Sequence, residues 1–117
     1  MTSAEPRIVR LVGDFDLTRL HAVEALLSEA DPGEDIVVDL GAVTFVDSVT
    51  LSAFVRASRR HEAAGSRLVL ADAYAAVRRV LAITQLDRLM SYADTVDDAV
   101  AMLRNTNPDN PNPASEE

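Results

Sequence analysis

The chain has 117 residues, 48% of them hydrophobic, no cysteine, two histidines, and 19 acidic against 11 basic side chains for a net charge of −8. That length supports one domain built around one core. The lack of cysteine excludes disulfides and thiolate-held zinc, His21 and His61 are too few for most metal constellations, and the acidity argues against a nucleic-acid partner.

All of the basic residues are arginine, so chemistry that needs a lysine is absent. No apolar run approaches the roughly 20 residues of a bilayer span. The start, Met1-Thr2-Ser3-Ala4-Glu5-Pro6, lacks the basic-then-apolar layout of a signal peptide. A cytoplasmic protein with no membrane partner is expected.

In chain order, residues 1–6 read as a flexible N-terminus. Arg7-Ile8-Val9-Arg10-Leu11-Val12-Gly13 reads as a strand by its β-branched content, ended by the glycine. Asp14-Phe15-Asp16-Leu17-Thr18 turns into a helix with Asp16 or Thr18 as N-cap. Leu20, Val23 and Leu27 share one helical face before Asp31-Pro32-Gly33 stops it. Ile36-Val37-Val38-Asp39-Leu40 is a strand so rich in valine and isoleucine that both its faces should be covered, as in a parallel sheet. Val43-Thr44-Phe45-Val46 continues the apolar run.

After Asp47-Ser48, residues Leu51, Phe54, Val55 and Ser58 line one face of a helix. Arg56, Arg59, Arg60 and Glu62 form its wet side, Gly65 its stop, and both histidines are expected on helix surfaces. Arg67-Leu68-Val69-Leu70-Ala71 is a third strand, and Asp72 should cap the next helix, with Val77, Val80 and Leu81 facing inward. Met90-Ser91-Tyr92 reads as a short last strand. The final helix places Val96, Ala99, Val100 and Leu103 at i, i+3, i+4 and i+7. Residues 105–117, rich in Asn-Pro and acids, carry no apolar payload and are expected to be disordered. Strands alternating with helices give an α/β domain, mostly parallel, whose partners are met near the C-terminal ends of strands.

The chemistry-bearing residues cluster at such ends. Asp47-Ser48 marks a strand-to-helix junction, where either residue serves as a cap and Ser48 also suits a phosphate acceptor presented at the helix N-terminus. The two roles are compatible. Asp14, Asp16 and Asp47 resemble the Mg²⁺-binding acids of response-regulator receiver domains, but the lysine those domains pair with the phosphoryl group is missing. The acids instead cap turns or give a recognition surface its negative potential. No phosphate-binding Gly-Lys loop exists, four glycines build no dinucleotide fingerprint, and Ser48 lacks the glycines of a nucleophile elbow. No enzyme, cofactor or metal site is expected.

Val37-Val38-Asp39-Leu40 followed by Val43-Thr44-Phe45-Val46-Asp47-Ser48 resembles the central signature of the STAS domain, and more narrowly the bacterial anti-anti-sigma factors. Gly13-Asp14-Phe15-Asp16, Ala64-Gly65-Ser66-Arg67-Leu68-Val69-Leu70, Ala76-Val77-Arg78-Arg79-Val80-Leu81 and Leu86-Asp87-Arg88-Leu89 fit the same pattern in order. The resemblance implies a STAS domain over residues 7–104: a small mixed, mostly parallel sheet of four to five strands, with about four helices mainly on one face. It implies an anti-sigma factor antagonist that works by partner switching. The partner would be an anti-sigma factor of the histidine-kinase-like ATPase type, acting also as the serine kinase, and a PP2C-type phosphatase would reverse the modification. Ser48 falls at the phosphoserine position and Asp16 at the acidic position of the first loop. The partner surface would comprise Asp16, Asp47, Ser48, Val49, Thr50, Leu51 and Ser52, on a monomer or weak dimer.

The family motif reads Asp-Ser-Ser-Gly-Leu-Gly, whereas this chain reads Asp47-Ser48-Val49-Thr50-Leu51-Ser52. Glycines there let a partner backbone approach closely. Three outcomes are open: altered partner choice, Thr50 as a secondary phosphate acceptor, or constitutive binding with the phosphoswitch weakened. A different class of function, a STAS scaffold subunit of a larger sensory assembly, is the alternative; such subunits often carry an extra N-terminal sensor domain, which is not expected here.

Overall fold

The computed structural model describes residues 5–105. The expectations of a flexible start and a disordered tail fall largely outside that range; within it, the Glu5 carboxylate pairs with Arg104 at 2.5 Å. Strand β1 (Arg7–Phe15), helix α1 (Leu20–Leu27), β2 (Ile36–Val46), α2 (Ser48–Ala63), β3 (Leu68–Ala71), α3 (Ala75–Ile83), β4 (Ser91–Ala93) and α4 (Val96–Asn105) follow one another. The sheet has four strands in the order β1-β2-β3-β4, and every pairing is parallel. This is the expected α/β architecture, with β1 as one free edge.

The central strand β2 explains the arrangement. Val38 and Leu40 join the core beneath α1, α2 and α3, while Val37 faces the opposite side with Val69, Ala71, Ala99 and Leu103 of β3 and α4. Both faces of β2 are covered at its start, so neither tolerates a polar side chain. Three helices therefore share one face and α4 takes the other. The cover from α4 does not extend over β1, where Ile8 and Val12 remain half-exposed beside Phe45.

Helix α2 buries Leu51, Phe54 and Ser58, as its spacing predicts. The same face continues three residues on to His61, which is only 1% exposed, against the expected surface position. Its Nδ1 lies 2.8 Å from the Glu34 carbonyl and 3.0 Å from Ser66 Oγ, so the buried ring is satisfied. Helix α2 stops where Gly65 takes φ +86, with Gly65 N–H donating to Glu62 O and Ser66 N–H to His61 O. These two bonds are a Schellman ending.

Two further expectations change. Gly13 does not end β1; at φ +100 it sits beside a register shift against β2, and the strand runs on to Phe15. The extra residues at both register shifts lie in β2, where Leu40 and Gly41 stand against Leu11 and Thr44 has no partner, so β2 bulges while β1 runs on through a left-handed glycine. Asp72 does not cap α3, whose N-cap is Tyr74 with no side-chain bond. Asp72 instead adopts φ +64 in the turn after β3, a conformation that aspartate tolerates better than most residues. A Cβ on Gly41 would come within 2.6 Å of the Asp72 carboxylate, so β2 passes close to this turn.

Phe54 is fully buried between α2 and the sheet. We expect Phe54→Ala to cost about 3–5 kcal/mol of stability by cavity formation, measured as a lower urea midpoint at unchanged slope.

Candidate functional site

Because β1 and β2 run parallel, Phe15 pairs with Val46 and both strands end at the same edge. The residues that follow each strand therefore meet. The Asp47 N–H donates to the Phe15 carbonyl at 3.1 Å, and the Thr50 hydroxyl lies 3.4 Å from the same oxygen. The start of α2 is thus tied to the end of β1.

Each terminal acid finds a local donor. The Asp47 carboxylate caps α2 by accepting the Thr50 N–H at 2.9 Å. Asp16 does the same for the 3-10 turn Leu17–Arg19, accepting the Thr18 N–H at 2.9 Å together with the Thr18 hydroxyl. Asp14 accepts the Thr44 hydroxyl. Among the described residues no group of three or more His, Asp or Glu could hold a metal ion.

Arg19 folds back to brace β1 around Gly13. Its Nη1 donates to Val12 O at 3.1 Å and to Asp14 O at 3.0 Å, and its guanidinium lies 4.1 Å from the Phe15 ring centroid. A Cβ at Gly13 would sit 3.2 Å from that nitrogen. This bracing was missed in the sequence, where an arginine in a turn carries no signal of its own. Leu17, beside Asp16, is 63% exposed and was also missed. Its spacing of three from Leu20 makes it look like part of the buried face.

The sequence-predicted residues divide into two groups. Ser48 is the first residue of α2, is exposed, and makes no hydrogen bond through its hydroxyl to another described residue. Ser52 is exposed one turn on; Asp47 and Val49 are half-buried, and Asp16 is exposed. Thr50 and Leu51, expected on this surface, are instead fully buried. At helical spacing, positions 50 and 51 turn toward the sheet together with 54 and 58. Helix geometry thus shows only part of the hexapeptide to solvent.

The Asp47 carboxyl is held below the usual carboxylate range. The main cause is the Thr50 N–H; partial desolvation opposes it, and the Thr50 hydroxyl and Leu17 N–H add to the lowering. The N-terminal dipole of α2 has the same sign of effect. Phe15, whose carbonyl takes the Asp47 N–H, is followed directly by Asp16 and Leu17, so that turn and the head of α2 with Asp47 and Ser48 lie at one edge of the sheet. No helix of the described residues is long and apolar enough to cross a membrane.

The fold has known counterparts. The family model described as Mlab, STAS domain, matches residues 2–91, and the chain belongs to the STAS domain family. Among solved structures it is similar to a candidate anti-sigma factor antagonist from Thermotoga maritima, at 24% identity and TM-score 0.71, covering 83% of this chain and 87% of that one. It is similar to the phosphorylated form of the Bacillus cell fate determinant SpoIIAA, at 25% identity and TM-score 0.63, covering 89% and 96%. A sulfate transporter family protein from Wolinella succinogenes shares the fold at 15% identity and TM-score 0.74, covering 89% and 88%.

The lowered Asp47 carboxyl gives a signed pH dependence. Its stabilising effect is fully present above the unfolded value of about 3.9 and is lost as pH falls through the lower folded value. We expect Asp47→Asn to lower the melting temperature near neutral pH, with the difference from wild type shrinking as pH falls below about 4. Thermal melts across that range check it.

Proposed function

We propose that this protein is a cytoplasmic anti-sigma factor antagonist, a binding module and not an enzyme, that is switched by phosphorylation of Ser48. The observation that carries the reading is Ser48 itself, exposed and without a hydrogen-bond partner among the described residues, at the first position of a helix capped by Asp47. The likeness to SpoIIAA, an anti-sigma factor antagonist solved in both unphosphorylated and phosphorylated forms, supports it. The partner is an anti-sigma factor of the histidine-kinase-like ATPase type, which also phosphorylates Ser48, and a PP2C-type phosphatase restores the binding form.

The physics of the switch is local. A phosphate adds about −1.5 to −2 charges at neutral pH. The α2 N-terminus alone would favour that charge, but Asp47 and Asp16 flank the same surface. A partner seated on Ser48 then meets like charge and the cost of desolvating a dianion. A loss of about 3 kcal/mol weakens binding more than a hundredfold, and no rearrangement of the fold is needed. Asp16, Leu17, Asp47, Val49 and Ser52 complete the contact surface.

Ser48 is the acceptor and Thr50 is not. The Thr50 hydroxyl is buried against the Phe15 carbonyl, so reaching a kinase would require opening the first turn of α2. In place of the family's glycine, Thr50 anchors that turn and leaves Ser48 free to react. A second reading is a STAS regulatory subunit of a larger assembly, favoured by the Mlab family description and the transporter-family likeness. It would use the same surface with a different partner.

Affinity purification from the protein's own cells, followed by mass spectrometry, separates the readings: an ATPase of the anti-sigma type supports the first, a transport or sensory complex the second. With that ATPase in hand, we expect Ser48→Ala to bind like wild type and Ser48→Asp to bind at least about a hundredfold more weakly. Equal affinity of the two would sink the switch. Thr50→Val should cost less than about 1.5 kcal/mol of stability and still take up phosphate at Ser48, read by phosphosite mapping.

A further inference from the structure

The exposed side of α2 continues well beyond Ser48. Ser48, Ser52, Arg56 and Arg59 are all exposed and spaced four, four and three residues apart. At about 100° per residue they fall within about 80° of arc, a single stripe. Arg60 borders that stripe on the side of α1. There Arg56, Arg60 and Ala53 of α2 face Glu24, Leu27 and Ser28 across a cleft of about 180 Å³.

The arginines differ in their commitments. Arg56 donates to Glu24 at 3.2 Å. Arg59 and Arg60 pair with no acid among the described residues, although acids outnumber bases 19 to 11 in the chain. The stripe thus has an acid-flanked end at Ser48 and a cationic end where Arg59 and Arg60 have no acidic partner among the described residues.

We propose that the partner that meets Ser48 extends along α2 and seats an acidic segment, with Asp or Glu side chains, against Arg56, Arg59 and Arg60. This rests on the reading of Ser48 as the centre of partner contact. Scale allows it: twelve residues of helix separate Ser48 from Arg60, roughly 18 Å. An interface burying about 800 Å² on each side is about 30 Å across, so one footprint covers both ends. Guanidinium forks suit carboxylates in two-point contact, and opposite signs at the two ends fix the direction in which the partner docks. The separation also exceeds the Debye length of about 8–10 Å. A phosphate on Ser48 therefore breaks the near contact without neutralising the far one, which keeps the phosphorylated protein in weak, salt-sensitive encounter with its partner.

The test uses the anti-sigma ATPase captured by the full-length protein and then produced recombinantly. Its affinity is measured for wild type, Ser48→Asp and the double variant Arg59→Glu/Arg60→Glu at about 50 and about 500 mM salt. Both arginines are exposed with no acidic partner among the described residues, so the double variant should stay folded, its melting temperature lowered only slightly by the loss of positive charge near the α2 C-terminus. The expected result is on the order of a tenfold weakening at low salt, mostly through slower association, and a gap that closes at high salt. Unchanged affinity and salt dependence for the double variant would overturn the inference. If Ser48→Asp still loses binding in that case, the phosphoswitch stands without the arginine contact; if it too binds like wild type, the reading of Ser48 falls as well.

Discussion

The Phe15 carbonyl takes the Asp47 N–H and lies beside the Thr50 hydroxyl, and those contacts hold the two strand ends and the head of α2 together. Parallel pairing of β1 with β2 makes this possible, because it brings both C-terminal ends to one edge. An antiparallel pair would send the loops of the first and second strands to opposite ends. With the head of α2 fixed in this way, the first helical residue can only point outward. Ser48 is exposed because its neighbours at 50 and 51 are buried.

Thr50 belongs to this framework. A glycine there would leave the Phe15 carbonyl with one potential donor fewer and make the first turn of α2 conformationally looser. The branched side chain fills that space and stiffens the turn. Arg19 serves the neighbouring turn in a similar way, satisfying the two carbonyls on either side of Gly13 while its guanidinium lies against Phe15. Both residues act on the surface by immobilising what lies beneath it.

The fold was legible in the sequence because its strongest signals are periodic. The valine-rich β2, the spacing of Leu51, Phe54 and Ser58, and the α4 repeat at Val96, Ala99, Val100 and Leu103 all follow from burial alone. Reading the first strand failed at Gly13, since a glycine can carry a strand through a left-handed residue as readily as end it. His61 was misplaced because its polarity outweighed its position, although it continues the buried face by three residues. Its partners, Glu34 O and Ser66, are distant in sequence and no local pattern announces them. Asp72 read as a cap because aspartate favours caps and left-handed turns alike. At the site, residue types located the Asp47-Ser48 junction, and helix phase then separated Ser48 from Thr50.

The free edge of the sheet has a bearing on how copies of this chain behave at high concentration. An open strand of nine residues that carries the half-exposed Ile8 and Val12 is the sort of template on which neighbours stack strand upon strand. Here the register against β2 slips between Arg10 and Val12 and again between Gly13 and Asp14. The left-handed Gly13 interrupts the regular extended backbone of that edge, and Arg7, Arg10 and Asp14 place charge along it. The left-handed glycine that Arg19 braces therefore also guards the protein's colloidal stability, leaving a small binding module free to meet another protein instead of itself.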